Sequence, residues 1–224
     1  MARIVLLSDT HNHHDNISLP SGDILIHSGD ATGLGYEHQI RDFIDWMKEQ
    51  DFEHKIYVPG NHDIGLEENF EEWKHWFADA DINLLNEESV VLEGVSAHDF
   101  NEYKFNVFGS PITPNFGKWA FMRARGEQIN KHWKLIPENT DILVTHGPPK
   151  YILDEIPGFT GMTEHVGCEM LAHKVFEIKP KLHVFGHIHE GAGAHSENDI
   201  DFVNAALCDE WNRLVNLPIV KDLK

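Results

Sequence analysis

Six short apolar runs punctuate the chain, and each closes on a polar group or a glycine turn. They are RIVLLSDTH (3–11), DILIHSGD (23–30), HKIYVPGNHD (54–63), FNVFGSP (105–111), DILVTHGPP (141–149) and LHVFGHIH (182–189). Polar residues hardly alternate within them, which is the pattern of strands covered on both faces. Helical periodicity separates several of the runs. Tyr36 to Glu49 carries Ile40, Phe43, Ile44 and Met47 on one stripe, and Glu67 to Ala78 carries Phe70, Trp73 and Phe77. Gly126 to Leu135 is a weaker helix, and Gly167 to Ile178 presents Met170, Leu171, Val175 and Ile178. Residues 82–109 are strand-rich without helices and predict antiparallel pairs in a second sheet. Residues 199–207 predict one more strand. Strands alternating with helices give an α/β protein, here a two-sheet sandwich.

Composition narrows this picture only slightly. With 224 residues the chain suits a single domain over 1–224, and 41 % apolar and 25 % charged residues are ordinary for a globular protein. The apolar run Ile4 to Leu7 is too short for a signal-peptide core or a membrane span, so a cytoplasmic protein is expected. Cys168 and Cys208 lack CxxC spacing and read as packing residues. The net charge of −19 argues against long nucleic acid and against an anionic membrane as partners, because both bind through Lys and Arg. One segment departs from it. Lys118, Arg123, Arg125, Lys131 and Lys134 face only Glu127 between residues 118 and 134. Either a solvated helix face or the wall of an anion cleft would look like this.

The chemistry lies where the strands stop. In open α/β sheets, ligands bind beyond the carboxyl ends of the strands. Those ends deliver Asp9 and His11, Asp30, Asn61 and His62, His146, and then His187 and His189. Apart from His62, these make seven N and O donors with no thiolate. The set suits Mn, Fe, Zn or Ni rather than copper(I) or an iron–sulfur cluster. Seven ligands are too many for one ion that leaves room for substrate, and about right for two divalent ions sharing a carboxylate. Two such ions activate a bridging hydroxide and clamp a phosphoryl group. His187 and His189, two apart at a strand end, project the same way and can reach different ions. His62 is not needed to complete either shell and suits a general acid for the leaving group. Asp63 could orient a neighbour, but reads first as a plain turn aspartate. Among seventeen histidines, His13 and His14 read as loop residues and His27 as a hydrogen-bonded core residue. His132, His183 and several others read as surface or helix-face residues. Arg123, Arg125 and His165 are candidates to touch substrate, with no assignment made.

Taken in order, DTH (9–11), GD (29–30), GNHD (60–63), THGPP (145–149) and GHIH (186–189) resemble the motifs of the calcineurin-like metallophosphoesterase superfamily. The resemblance implies a four-layer αββα sandwich of two mixed β-sheets flanked by helices. It implies one ion on Asp9, His11, Asp30 and His189, a second on Asp30, Asn61, His146 and His187, and Asp30 as the bridge. His62 matches the family's catalytic histidine. GKWAFMRARG (117–126), EHVGCEML (164–171) and NLPIVKDL (216–223) resemble, nearly end to end, the branch of metallophosphoesterase-domain-containing proteins. That resemblance implies activity on phosphodiesters, including cyclic nucleotides. Some animal members of the branch carry Gly in place of His187, and this chain keeps the histidine. The chain departs from the superfamily's phosphoprotein phosphatases, which follow Gly-Asp with GDxxDRG. Here Asp30 leads into Ala31, Thr32, Gly33, Leu34 and Gly35 without an arginine. A singly charged diester fits a site with fewer cations, so a small-molecule phosphodiesterase is the first expectation. A phosphomonoesterase or nucleotide pyrophosphatase is the alternative. A scaffold protein with a relic site predicts broken ligand sets, which this sequence does not have.

Overall fold

In the computed structural model, which describes residues 1–158 and 161–224, the apolar runs form the parallel strands of two sheets. β1 (Ala2–Leu7) and β2 (Ile24–His27) precede α1 (Glu37–Lys48) and β3 (His54–Tyr57); α2 (Ile64–Glu68), α3 (Phe70–Asp79) and β4 (Asn83–Leu84) follow. A hairpin of β5 (Glu88–Val95) and β6 (Glu102–Ser110) leads through β7 (Thr113–Pro114), β8 (Met122–Arg123) and α4 (Glu127–Trp133) to β9 (Ile142–Thr145). Then come β10 (Glu155–Pro157), β11 (Thr163–His165), α5 (Glu169–Ile178), β12 (Leu182–Phe185), β13 (Gly193–Glu197), β14 (Ile200–Asn204) and β15 (Ile219–Leu223).

The first large sheet has the order β15-β1-β2-β3-β4, parallel except for β15, which runs antiparallel to β1. The second has the order β13-β14-β12-β9-β6-β5, with parallel inner strands and antiparallel outer ones. Strand period two sorts side chains between two cores. Ile4, Leu6, Ile24 and Ile26 meet Ile142, Val144, Leu182 and Val184 between the sheets. Val5, Leu7, Leu25 and Tyr57 instead face α1 and α3 through Phe43, Met47 and Phe77, while Leu143 and Phe185 share a core with Trp133 and Val175. The order is helix, sheet, sheet, helix, the expected four-layer αββα sandwich. Burial on both faces explains why the sequence runs showed no alternation.

The α1 stripe is buried as expected, and the Gln39 side chain ties down its entrance by accepting from the backbone of Leu34 and Tyr36. The single helix expected over 67–78 is broken at Asn69 into α2 and α3. β5 and β6 pair antiparallel in the second sheet as expected, but β4 joins the first sheet, parallel to β3. β15 was unforeseen: its partner β1 lies some two hundred residues earlier in the chain, and its own pattern is half exposed. Among the described residues, no helix is long and apolar enough to cross a membrane.

Candidate metal and active site

Five parallel strands, three from one sheet and two from the other, end at one edge of the sandwich. Past each end the chain turns sharply. Asp9 (φ 53°), His11 (φ 41°), Asp30 (φ 54°) and His187 (φ 70°) all take left-handed backbone, which Asp and His tolerate better than branched residues. Hydrogen bonds lock the turns. Asp9 N donates to Gly29 O at 2.8 Å and His11 N to Asp30 O at 3.1 Å. His187 N donates to both carboxylate oxygens of Asp9, at 2.9 and 3.1 Å. The glycines of the GNH and GH motifs serve close approach. A Cβ on Gly60 would collide with the Asp30 carboxylate, and one on Gly186 with that of Asp9.

Three overlapping groups of donors result: Asp9, His11 and His189; His11, Asp30 and His62; and Asp30, His146 and His187. Within each group the donor atoms lie within 4.8 Å of one another. Asn61 joins the third, its Oδ1 3.0 Å from His146 Nε2. All seven expected ligands therefore meet, and Asp30 lies in two of the three groups. Backbone carbonyls orient the imidazoles. His146 Nδ1 donates to Ser28 O at 2.9 Å and His189 Nδ1 to Asp209 O at 2.7 Å. Their Nε2 atoms are left facing inward, the arrangement metal-binding histidines use. His189 Nε2 converges with His11 Nε2 at 3.4 Å and Asp9 Oδ1 at 3.3 Å.

The electrostatics fit a cation site. Burial pushes Asp9 up, but the hydrogen bond and charge of His189 outweigh it and hold the carboxyl well below its ordinary range. Burial acts likewise on Asp30, and His146 reverses it. In return His146 rises to about 9, because the charge of Asp30 overcomes its burial. His189 also rises to about 9, against burial, through its bond to Asp9. Burial and charged His146 push His187 down to about 3. Two buried carboxylates thus demand two positive charges beside them. Divalent ions supply these with the imidazoles neutral and ligating, so the donor set and its charge balance fit metals.

His62 lies against this cluster. Its backbone N donates to Asp30 Oδ1 at 2.7 Å and its Nδ1 donates to Gly33 O at 2.8 Å. Its ring is 4.8 Å from that of His11 and stacks on Trp119 at 4.3 Å and 30°. Trp119 lies in the GKWAFMRARG block but no periodicity gave it a role, since it sits in the irregular segment between β7 and β8. Phe116, from the same segment, lies 5.3 Å from the His187 ring.

Asp63 corrects the sequence reading, because it is no turn aspartate. It is fully buried and accepts from Tyr57 Oη (2.5 Å), Gly60 N (2.7 Å), Thr32 Oγ1 (2.8 Å), Asp30 N (3.0 Å) and Thr32 N (3.1 Å). Burial and the nearby Asp30 carboxylate push its carboxyl up, and the hydroxyl of Tyr57 pulls it back. His183 is likewise no surface residue: it is buried, with Nε2 2.8 Å from Thr145 Oγ1. His27 is a hydrogen-bonded core residue as expected, 3.0 Å from Thr10 Oγ1. His14 is buried against Phe43 and Trp46, not loose in a loop.

The two arginines of the basic segment are engaged by acids from elsewhere in the chain. Arg123 reaches Glu67 at 3.4 Å, and Arg125 binds Glu169 together with the carbonyls of Val166 and Gly167. His165 Nδ1 is held by the buried Asp154 at 2.7 Å. Cys168 and Cys208 are buried packing residues.

Comparison with known proteins places the chain in a family. Residues 2–191 match the sequence profile of the calcineurin-like phosphoesterases. The chain is 37 % identical to metallophosphoesterase domain-containing protein 1 of Homo sapiens, over 99 % of this chain and 71 % of that protein. It is 33 % identical to a UPF0046 protein of Caenorhabditis elegans, over 97 % of this chain and 74 % of the relative. The solved structure of phosphopantetheinyl hydrolase from Mycobacterium tuberculosis superposes with a TM-score of 0.61 at 14 % identity, covering 91 % of this chain and 88 % of that one. At such identity the likeness is one of fold.

Proposed function

Since the chain belongs to the calcineurin-like phosphoesterase family, we propose that it is a dinuclear metal-dependent phosphodiesterase acting on small diesters. The observation that carries this is the convergence of seven N and O donors from five strand ends, with Asp30 common to two donor groups. In this reading Asp9, His11, Asp30 and His189 hold one ion, and Asp30, Asn61, His146 and His187 hold the other. The family implies divalent metal, and the thiolate-free donors favour Mn, Fe, Zn or Ni. When bound, two such ions supply an activated water near neutral pH and positive charge for the phosphoryl oxygens.

The chain's own part is positioning and proton transfer. The carbonyls of Ser28 and Asp209 fix two imidazoles with Nε2 inward. The Gly33 carbonyl occupies His62 Nδ1, so Nε2 is the atom left to deliver a proton to the leaving oxygen. Preference for a diester follows from charge. Arg123 and Arg125, the guanidinium candidates the sequence offered, are engaged by acids and carbonyls. A phosphate carrying one negative charge needs fewer cations than one carrying two.

The test is metal-depleted protein given Mn, Fe, Zn, Ni or Mg and assayed on bis-p-nitrophenyl phosphate beside p-nitrophenyl phosphate. The expected result is metal-dependent turnover with the diester well ahead, and cyclic nucleotides would be assayed next. A lead for the monoester would point to a phosphomonoesterase or pyrophosphatase. No turnover with two ions bound would point to a scaffold.

A further inference from the structure

A hollow of ≈ 350 Å³ opens beside His187, with walls from Pro114, Phe116, Pro148, Ile156, Val166 and Ile188. We propose that it is the subsite for the second ester arm, the one that does not leave, and that it takes a flat, uncharged ring. This rests on the phosphodiesterase reading above and adds a substrate class to it.

Three observations carry the inference. The first is placement: His187 is both a candidate ligand and part of the wall. A phosphoryl group held at the donor cluster would have this hollow next to it. The second is chemistry. The side-chain walls are apolar except for His187 and Arg125, and the guanidinium of Arg125 is already tied to Glu169, Val166 O and Gly167 O. An uncharged group pays little desolvation there, and a charged one finds no free partner. Phe116 stands 61 % exposed on the rim, an aromatic surface that gains by being covered.

The third is polarity of arrangement. Phe116 and Trp119 come from one short segment. Phe116 lies against His187 and Trp119 lies on His62. The proton donor is therefore at one end of the segment and the hollow at the other. The leaving arm belongs beside His62, and the remaining arm falls to the hollow.

Two substrates with one leaving group isolate the second arm: p-nitrophenyl phenyl phosphate and p-nitrophenyl methyl phosphate. The phenyl ester should lead in kcat/KM by about tenfold or more, the scale of a ring entering an apolar pocket. Phe116→Ala should cut that ratio several-fold. Ile156→Trp, which fills the hollow from β10, should bring it near the intrinsic ratio of the two esters. Calorimetry on the metal-loaded protein gives a readout free of turnover. Diphenylphosphinate, which has no ester bond to cleave, should bind about tenfold tighter than dimethylphosphinate, and Ile156→Trp should narrow that difference several-fold, leaving what the ring beside His62 contributes. Both esters cleaved, with a phenyl/methyl ratio that neither variant changes, would overturn the subsite and leave the phosphodiesterase reading standing. Equal binding of the two phosphinates would overturn it too. If neither ester nor bis-p-nitrophenyl phosphate is cleaved with metals bound, the phosphodiesterase reading itself fails and the subsite falls with it.

Discussion

Asp63 offers the sharpest test of how the site is held. Its carboxylate joins two ligand-bearing loops, accepting from Asp30 N and Thr32 on one and from Gly60 N on the other, with Tyr57 Oη as a further donor. All of these residues are buried, Gly60 included. Asp63→Ala leaves five hydrogen bonds unmade. At about 1 kcal/mol for each buried donor stranded, the loss is about 5 kcal/mol, a large share of the ~5–15 kcal/mol that holds a typical domain folded. Asp63→Asn keeps one oxygen. With its amide turned toward Thr32, it forfeits the two bonds from that residue and should lose about 2–3 kcal/mol. Tyr57→Phe removes one donor of the five and leaves the acceptor, so it should cost about 1 kcal/mol.

Urea unfolding of metal-depleted protein measures these losses without the stabilisation that bound metal adds. Chelator competition on the same variants measures metal affinity. Loosened support should weaken it by about 10–100-fold, because Asp30 loses the anchor on its backbone. The order expected is Ala, then Asn, then Phe, in both assays. Asp63→Ala within about 1 kcal/mol of the parent, with unchanged affinity, would refute the reasoning. It would mean that water or a shifted loop satisfies those donors.

His62→Ala should retain both ions by elemental analysis and lose about 10²–10⁴ in turnover, most with poor leaving groups; loss of metal instead would make His62 a ligand. Asp30→Asn should empty both metal sites together, and loss of one ion alone would contradict a bridging role. In metal-depleted protein, His146 and His189 stand at about 9, above the 6.5 of a free imidazole. A raised value stabilises the fold fully below pH 6.5, and that stability drains away as pH climbs through about 9. The loss should be on the order of 3 kcal/mol for each histidine, seen as a falling Tm over that window. The same protons must leave when metal binds, so loading at pH 7.5 should release about two protons by calorimetry in buffers of differing ionisation heat. Zero release would sink this account of the charge balance.

The candidate ligands were legible because each is set by local sequence: an apolar run, a glycine turn, then a donor. The helix stripe of α1 was legible for a similar reason. Asp63 was not, since its donors Tyr57 and Thr32 come from a neighbouring strand and a distant loop. The basic segment stayed ambiguous because the acids that neutralise it, Glu67 and Glu169, lie some forty or more residues away. Trp119 and Phe116 belong to no periodic element, so nothing in the sequence aims them at histidines. His183 is different, for the signal was there. It sits inside LHVF as His27 sits inside ILIH, and the reasoning that put His27 in the core applied equally to it.

The backbone at the donors also bears on whether the site works or is a relic. Asp9, His11, Asp30 and His187 hold left-handed conformations that each disfavour the folded chain by up to about 1–3 kcal/mol. Two acids and several histidines are buried with them. A chain with no use for the cluster would gain stability by relaxing these turns or by replacing the acids with apolar residues. Instead the turns are fastened by their own hydrogen bonds, from His11 N to Asp30 O and from His187 N to the Asp9 carboxylate. Strain of this kind, held at four of the seven candidate ligand positions by hydrogen bonds within the cluster, supports the metal-binding reading.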